Sequence, residues 1–343
     1  MKYLRTVPLL KDESLSSWLI RSSLYQGCDT LTFTSKIWGK YRVWTVDFER
    51  QMNTDRLQAL SKITGITYEQ LNETLLVHTA KQYSDSFNAE NSIWLWVISQ
   101  GIRNRKKSVG QPFCPQCFVE NTPYLRREWR MAWATCCNRH KILLQDHCPV
   151  CGFLYSPSKL SGFEKTMAHC HHCGHDMCTN ATEHAVSLVQ QTMSTDSADW
   201  LLLLRGFIAC IRKAIPRPDS NIAGMLRDLG LATLPAPSQT AGSFEWLPIA
   251  ERHALLQAAC PLMNKTLAEV VQAAQNNNVS ANTLYHATER HQIAFFEQVR
   301  AQLHERSYRR IRSATGRKQL LSEDAVLKKW ARLERKIQRA SAS

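Results

Sequence analysis

Four cysteine/histidine pairs, each with two intervening residues, dominate the middle of this 343-residue chain. They are Cys114/Cys117, Cys137/His140, Cys148/Cys151 and Cys170/Cys173. Two residues between donors let both reach one ion from a single tight turn. Zinc takes four such donors as a tetrahedron, with sulfur about 2.3 Å away. Nineteen residues separate the first pair from the second, and 18 separate the third from the fourth. Both gaps fall in the window of about 15–20 for two-knuckle zinc sites. The spacing therefore predicts one site from Cys114, Cys117, Cys137 and His140, and another from Cys148, Cys151, Cys170 and Cys173. A crossed pairing, first with third, satisfies the spacing as well. Cys136 adjoins Cys137 but lacks the two-residue spacing to His140. His169, His171, His172, His175 and Cys178 crowd the fourth pair as alternative ligands. Iron–sulfur, disulfide and free-cysteine readings compete with zinc. Pro115 and Pro149 stiffen two of the turns, and Gly152 and Gly174 supply backbone angles that other residues resist.

A catalytic zinc keeps one position open, usually among carboxylate or several histidine ligands. Here protein donors, mostly thiolates, saturate each ion. The expectation is two structural Zn2+ ions and no catalytic residue. No His-Glu-x-x-His, P-loop, Gly-x-Gly-x-x-Gly or Gly-x-Ser-x-Gly sequence occurs. The acids form no obvious nuclease or transposase set, so the chain reads as a non-enzyme.

An apolar content of 44% with 21% charge describes a globular chain. The net charge of +14 implies an acidic partner, most often nucleic acid. No apolar stretch follows Met1-Lys2-Tyr3-Leu4-Arg5. The longest apolar runs, Ile93 to Ile98 and Trp200 to Leu204, fall far short of the roughly 20 residues of a membrane span. A soluble protein of the bacterial cytoplasm is expected, where disulfides do not persist.

The fold expected is mainly α, with a small zinc-ribbon or knuckle α+β module and helix-turn-helix units on both sides. Residues 1–108 form a helical segment, 109–180 the double knuckle and 181–343 a second helical segment. Asp12-Glu13-Ser14 starts a helix carrying Leu15, Trp18, Leu19, Ser22 and Tyr25. A helix over Leu57–Ile63, a turn at 64–67 and a helix from Tyr68 to Leu76 make one helix-turn-helix pattern. Its second helix holds Glu69 and Glu73 and no base, which suits protein docking better than phosphate. Arg103 to Lys107, with Gly110 and Pro112, reads as a linker. Beyond the cysteines, helices are expected over Ser187–Met193 and Trp200–Ile215, with a hinge at 234–243.

A second helix-turn-helix pattern runs from Thr266 to Gln275 and from Ser280 to His291. Asn282, Thr283, Tyr285, His286 and Arg290 on its second helix are candidates for bases or phosphates, against the plainer reading of an αα-hairpin. Twelve basic residues against four acids lie between Glu305 and Arg339, over half of the net charge. Arg309, Arg310, Arg312, Arg317 and Lys318 in that tail are candidate nucleic-acid contacts.

The opening Pro8-Leu9-Leu10-Lys11-Asp12-Glu13-Ser14-Leu15-Ser16-Ser17-Trp18 resembles the start of TniQ proteins. So do Phe113-Cys114-Pro115-Gln116-Cys117, Trp129-Arg130, Cys137-Asn138-Arg139-His140-Lys141-Ile142-Leu143-Leu144 and Cys148-Pro149-Val150-Cys151-Gly152 in their order and spacing. The similarity extends over about 1–175, with a faint echo of TnsD-type relatives at Arg309–Thr315. It implies a non-catalytic adaptor in transposition target selection. Such an adaptor links a targeting device, either a guide-RNA Cascade complex or attachment-site DNA, to an AAA+ ATPase regulator, often as a dimer. A stand-alone zinc-containing helix-turn-helix transcription regulator is the alternative reading.

Overall fold

Ser14 caps the first helix, α1 (Leu15–Tyr25), by accepting the Ser17 N–H. Leu15, Trp18, Leu19 and Ser22 turn inward as their spacing predicts, while Tyr25 faces outward at 63% exposure. The computed structural model describes residues 4–50, 52–81, 94–100, 109–178, 185–189, 198–236, 242–289 and 292–305, together with Leu327, Trp330, Ala331 and Glu334. The chain divides into two compact units, Met1–Glu305 and Arg306–Ser343. The basic stretch Arg103–Lys107, residues 190–193 of the expected helix and residues 237–241 of the hinge lie outside the described residues.

The N-terminal part continues with α2 (Thr30–Trp38), α3 (Thr54–Thr64), α4 (Tyr68–Glu73) and α5 (Leu76–Lys81). Their apolar faces close over Trp18, Phe33, Leu57, Leu60 and Leu71. Gly65, in the left-handed conformation, ends α3, and Thr67 opens α4 through a capping box with Gln70. The helix expected from Tyr68 to Leu76 is two helices. The Thr74 hydroxyl bonds the Leu71 carbonyl and the Thr74 carbonyl accepts the Leu15 N–H, so the chain breaks at Thr74.

Helices dominate again after the cysteine region. The long α7 (Ala198–Ala214) follows the short α6 (Pro115–Glu120) of the cysteine region itself. It packs with α8 (Asn221–Asp228), α9 (Ile249–Ala259), α11 (Ala281–Ala287) and α12 (Ala294–Ala301), while α10 (Leu267–Asn276) packs on α8 and α12. Phe207, Ile211, Leu226, Leu256, Val270 and Phe296 lie in one core, which Trp96 and Trp133 extend toward the cysteine region. The helix expected from Ser280 to His291 ends at Ala287. The Thr288 hydroxyl bonds the Leu284 and Tyr285 carbonyls, and Glu289 turns to φ +55°. Among the described residues no helix is long and apolar enough to cross a membrane.

Two buried charge networks join these parts. Arg130, 1% exposed, pairs with Asp47 at 2.7 Å and with Glu49, and donates to the Ile98 carbonyl. Arg205 on α7 pairs with Glu245 at 2.5 Å, and Glu245 accepts the Trp96 N–H. Burial opposes ionisation of Glu245, but the Arg205 guanidinium outweighs it and holds the carboxyl below its ordinary value.

Candidate metal centres

The cysteine region has little regular structure. Single antiparallel bridges join Phe113 to Gln145, Cys136 to Leu143, His147 to Leu154 and His169 to Asp176. Gly110, expected in a linker, is instead buried against this frame. A Cβ there would lie 1.6 Å from the Asp146 carbonyl oxygen. Phe113, Phe118 and Tyr155 pack ring on ring beneath the knuckles, with Ile20 and Leu24 of α1 in the same cluster.

The motif that opens the chain is what fixes α1 to this region. Glu13 bridges to Arg126, and the Ser14 N–H donates to the Leu125 carbonyl. The Leu125 N–H in turn donates to the Ser17 hydroxyl, which donates to Glu13 at 2.7 Å. Glu13 also holds Arg21 at 2.7 Å and accepts the Leu10 N–H. Burial pushes the Glu13 carboxyl above its ordinary value. The Glu13 carboxylate, the Ser17 hydroxyl and the Leu125 N–H thus all have partners inside the protein, as buried polar groups require.

Pro115 occupies the start of α6, and the Cys114 sulfur caps it by accepting the Cys117 N–H. The second, third and fourth turns close differently. Each ligand pair is followed by a residue in the left-handed region: Lys141 at φ +53°, Gly152 at +70° and Gly174 at +72°. Their N–H groups return to the carbonyls of Cys137, Cys148 and Cys170 at 2.9 Å.

These turns bring the eight donors into two clusters, first pair with second and third with fourth. In the first, His140 Nδ1 lies 3.3 Å from Cys114 Sγ, 3.4 Å from Cys117 Sγ and 3.6 Å from Cys137 Sγ. Cys117 and Cys137 sulfurs are 3.7 Å apart. In the second, Cys148–Cys173 and Cys151–Cys170 sulfurs are 3.6 and 3.7 Å apart. Tetrahedral zinc would set sulfurs about 3.8 Å apart, and sulfur and nitrogen about 3.5 Å. A disulfide would need about 2.05 Å. All the cysteines are free thiols.

The electrostatics suit a cation. Hydrogen bonding to Cys117 and Cys137 pushes the Cys114 thiol up, while thiols of Cys114 and Cys117 hold Cys137 well below its ordinary value. Ionising all three thiols this close together would require a positive ion among them. Burial opposes ionisation of Cys148, but the N–H groups of Cys151 and Val150 outweigh it and bring that thiol to about 7.

The alternative ligands stand apart. Cys136 turns toward α9, its sulfur 3.6 Å from His253 Nδ1. The His172 ring stacks on Phe153, centroids 3.6 Å apart. Burial pushes Cys178 up to about 12. His172, His175 and Cys178 belong to neither cluster.

One residue that spacing did not point to is Glu120. Its Oε2 lies 3.0 Å from His140 Nε2 and 2.7 Å from the Arg139 guanidinium. Cys117 and Glu120 share one face of α6, three residues apart, so the helix that delivers a thiol also delivers the carboxylate behind the imidazole.

Among the candidate nucleic-acid contacts, Asn282 and His286 are exposed on α11, while Thr283 and Tyr285 are half-buried. Thr283 serves the Ser280 cap, and the Tyr285 ring lies 4.9 Å beneath Arg300. Arg290, Arg309, Arg310, Arg312, Arg317 and Lys318 lie outside the described residues.

No curated protein matches the chain. The TniQ family model matches residues 4–144, from the segment ahead of α1 through the first donor cluster, and stops before Cys148. Residues 4–144 are therefore similar to the TniQ domain, a domain of transposition-associated proteins.

Proposed function

We propose that the protein is a non-catalytic adaptor for transposition target selection, built around two structural zinc ions. The observation that carries this reading is the joining of the family's opening motif to the first donor cluster. Leu125, which Ser14 and Ser17 clip in place, lies in one buried cluster with Cys114, Cys117 and Cys137. Four protein donors close each cluster, leaving no position for substrate. Three thiolates with one imidazole, and four thiolates, are donor sets that zinc favours. The residues would hold the ions as staples, and zinc-finger peptides put such a staple at about 10 kcal/mol or more of folding free energy.

In this reading the adaptor links a targeting device to the AAA+ transposition regulator. Immobilised full-length protein, offered the AAA+ ATPase and the Cascade subunits encoded beside it, should retain the ATPase. Retention of neither, with insertion sites unchanged on deletion, would refute the adaptor role.

Direct DNA targeting is favoured by one group of residues, the exposed Asn282 and His286 on α11 together with the basic run after Glu305. A gel shift comparing attachment-site with random DNA separates this mode from Cascade docking. Sequence-specific binding without any transposition partner would instead support a stand-alone regulator.

A further inference from the structure

A cavity of about 200 Å³ opens between α1, α2 and the segment that follows the third knuckle turn. Ile20, Trp44, Phe48 and Leu125 wall it, and Leu31 and Lys159, both exposed, mark its mouth. The charged groups that reach it, Asp47, Glu49 and Arg130, are bonded to one another, so they ask nothing of an occupant. Small-molecule and cofactor sites run from about 300 to 1,000 Å³. This volume is too small for a nucleotide and suits one large apolar side chain.

Leu31 at the mouth, the end of α1 and the segment packed on the α1–α2 turn each expose a large apolar side chain. Leu31 is 60% exposed, Tyr25 at the end of α1 63% and Phe163 94%. Gly162 lies flat on the backbone of Cys28 and Asp29; a Cβ there would meet Cys28 at 2.5 Å. That contact packs the segment carrying Phe163 against the α1–α2 turn, which leads into Leu31. Exposed large apolar groups gathered around a hole mark an interaction site rather than ordinary surface.

The charge at this site is one-sided. Asp29 is engaged by Thr32 as the cap of α2, and Glu164 by Ser161. Lys159 and Lys165 are exposed and have no ion-pair partner among the described residues.

We infer that this cavity and its rim are a docking site for a partner-protein segment. The segment inserts one large apolar side chain between Trp44 and Leu31 and sets acidic residues against Lys159 and Lys165. The inference deepens the adaptor reading by placing a protein contact on it, but it requires neither metal chemistry nor the AAA+ regulator as the partner.

The test is methyl and indole NMR of the full-length, metal-loaded chain titrated with the peptide Ac-Glu-Phe-Asp-Glu-amide and its Ala counterpart. The Phe peptide should shift the Trp44 indole and the Ile20 and Leu31 methyls with saturation, and the Ala peptide should bind about tenfold more weakly. Leu31→Glu, on the exposed rim, should cost about tenfold. Lys159→Glu with Lys165→Glu should cost about three- to tenfold at low salt and less at high salt. No shift at Trp44 up to about 5 mM peptide, a range that covers millimolar binding, would overturn the proposal. So would equal binding of the Ala peptide. Shifts at the same nuclei on raising the protein concentration alone would overturn it in favour of a second copy. Peptide binding without retention of the ATPase would sink the adaptor reading and leave this one standing; the reverse result would do the opposite.

Discussion

His140 stands between the thiols of the first cluster and the carboxylate of Glu120. Its Nδ1 is 3.3 Å from Cys114 Sγ and its Nε2 is 3.0 Å from Glu120 Oε2. A carboxylate behind a ligating imidazole fixes which nitrogen faces the ion and raises its basicity. Glu120→Ala should weaken metal retention at the first cluster about 10- to 100-fold and leave the second unchanged. Chelator competition with two resolved release phases measures both. Glu120→Gln, which removes the charge but keeps an oxygen at that place, should fall between the parent and the Ala variant. Equal release from both clusters in the Ala variant would remove Glu120 from this role.

The Ser17 hydroxyl holds α1 to the cysteine region by donating to Glu13 and accepting the Leu125 N–H, and it is fully buried. Ser17→Ala leaves the Leu125 N–H without a partner where water does not reach. The expected loss is about 1–3 kcal/mol, read as a lower denaturant midpoint at unchanged slope.

Two glycines should respond to alanine for different reasons. At Gly110 the new methyl meets the Asp146 carbonyl, a backbone group that cannot turn aside. The cost should be about 3 kcal/mol or more, seen as loss of soluble folded protein. At Gly152 there is open space, and the only penalty is the left-handed backbone at φ +70°. That variant should fold and lose about 1 kcal/mol in thermal unfolding.

Burial pushes His253 below its ordinary value. It sits among Thr135, Cys136 and Gln257 with no carboxylate partner in those contacts. The folded chain binds this proton less tightly than the unfolded chain, which takes it up near pH 6.5, so stability falls as pH drops through that value. His253→Gln removes this contribution. Its denaturant midpoint should fall less than the parent's between pH 7.5 and 5.5, and comparing the two cancels acid effects on the metal ligands.

The eight donors could be read from the chain because their information is local: two residues inside each pair and 18 or 19 between pairs. The same spacing favoured Cys137 over Cys136, and the structure turns Cys136 away toward His253. It did not choose between straight and crossed pairing, which depends on how the bridges at Phe113 and His147 fold the two halves together. Glu120 and His253 were not visible as neighbours of the ligands. Glu120 lies one helical turn from Cys117, but its meeting with His140, 20 residues on, is a tertiary contact, and His253 approaches through α9, more than a hundred residues along the chain. The helices at Tyr68 and Ser280 were found but drawn too long. In both, a threonine side chain bonds the preceding turn, a competition that propensity alone does not settle. The role of the opening motif was likewise legible only as a helix start. Its partners at Leu125 and Arg126 lie more than a hundred residues along the chain.

The central claim is that two closed, structural metal sites fix this protein in its folded form. Native mass spectrometry of the chain purified without added metal tests it most directly. The account predicts the mass of the chain plus two zinc ions, falling to one in Cys117→Ser and to one in Cys151→Ser. A folded chain carrying no metal, or one that keeps two ions when either cysteine is replaced, would contradict it.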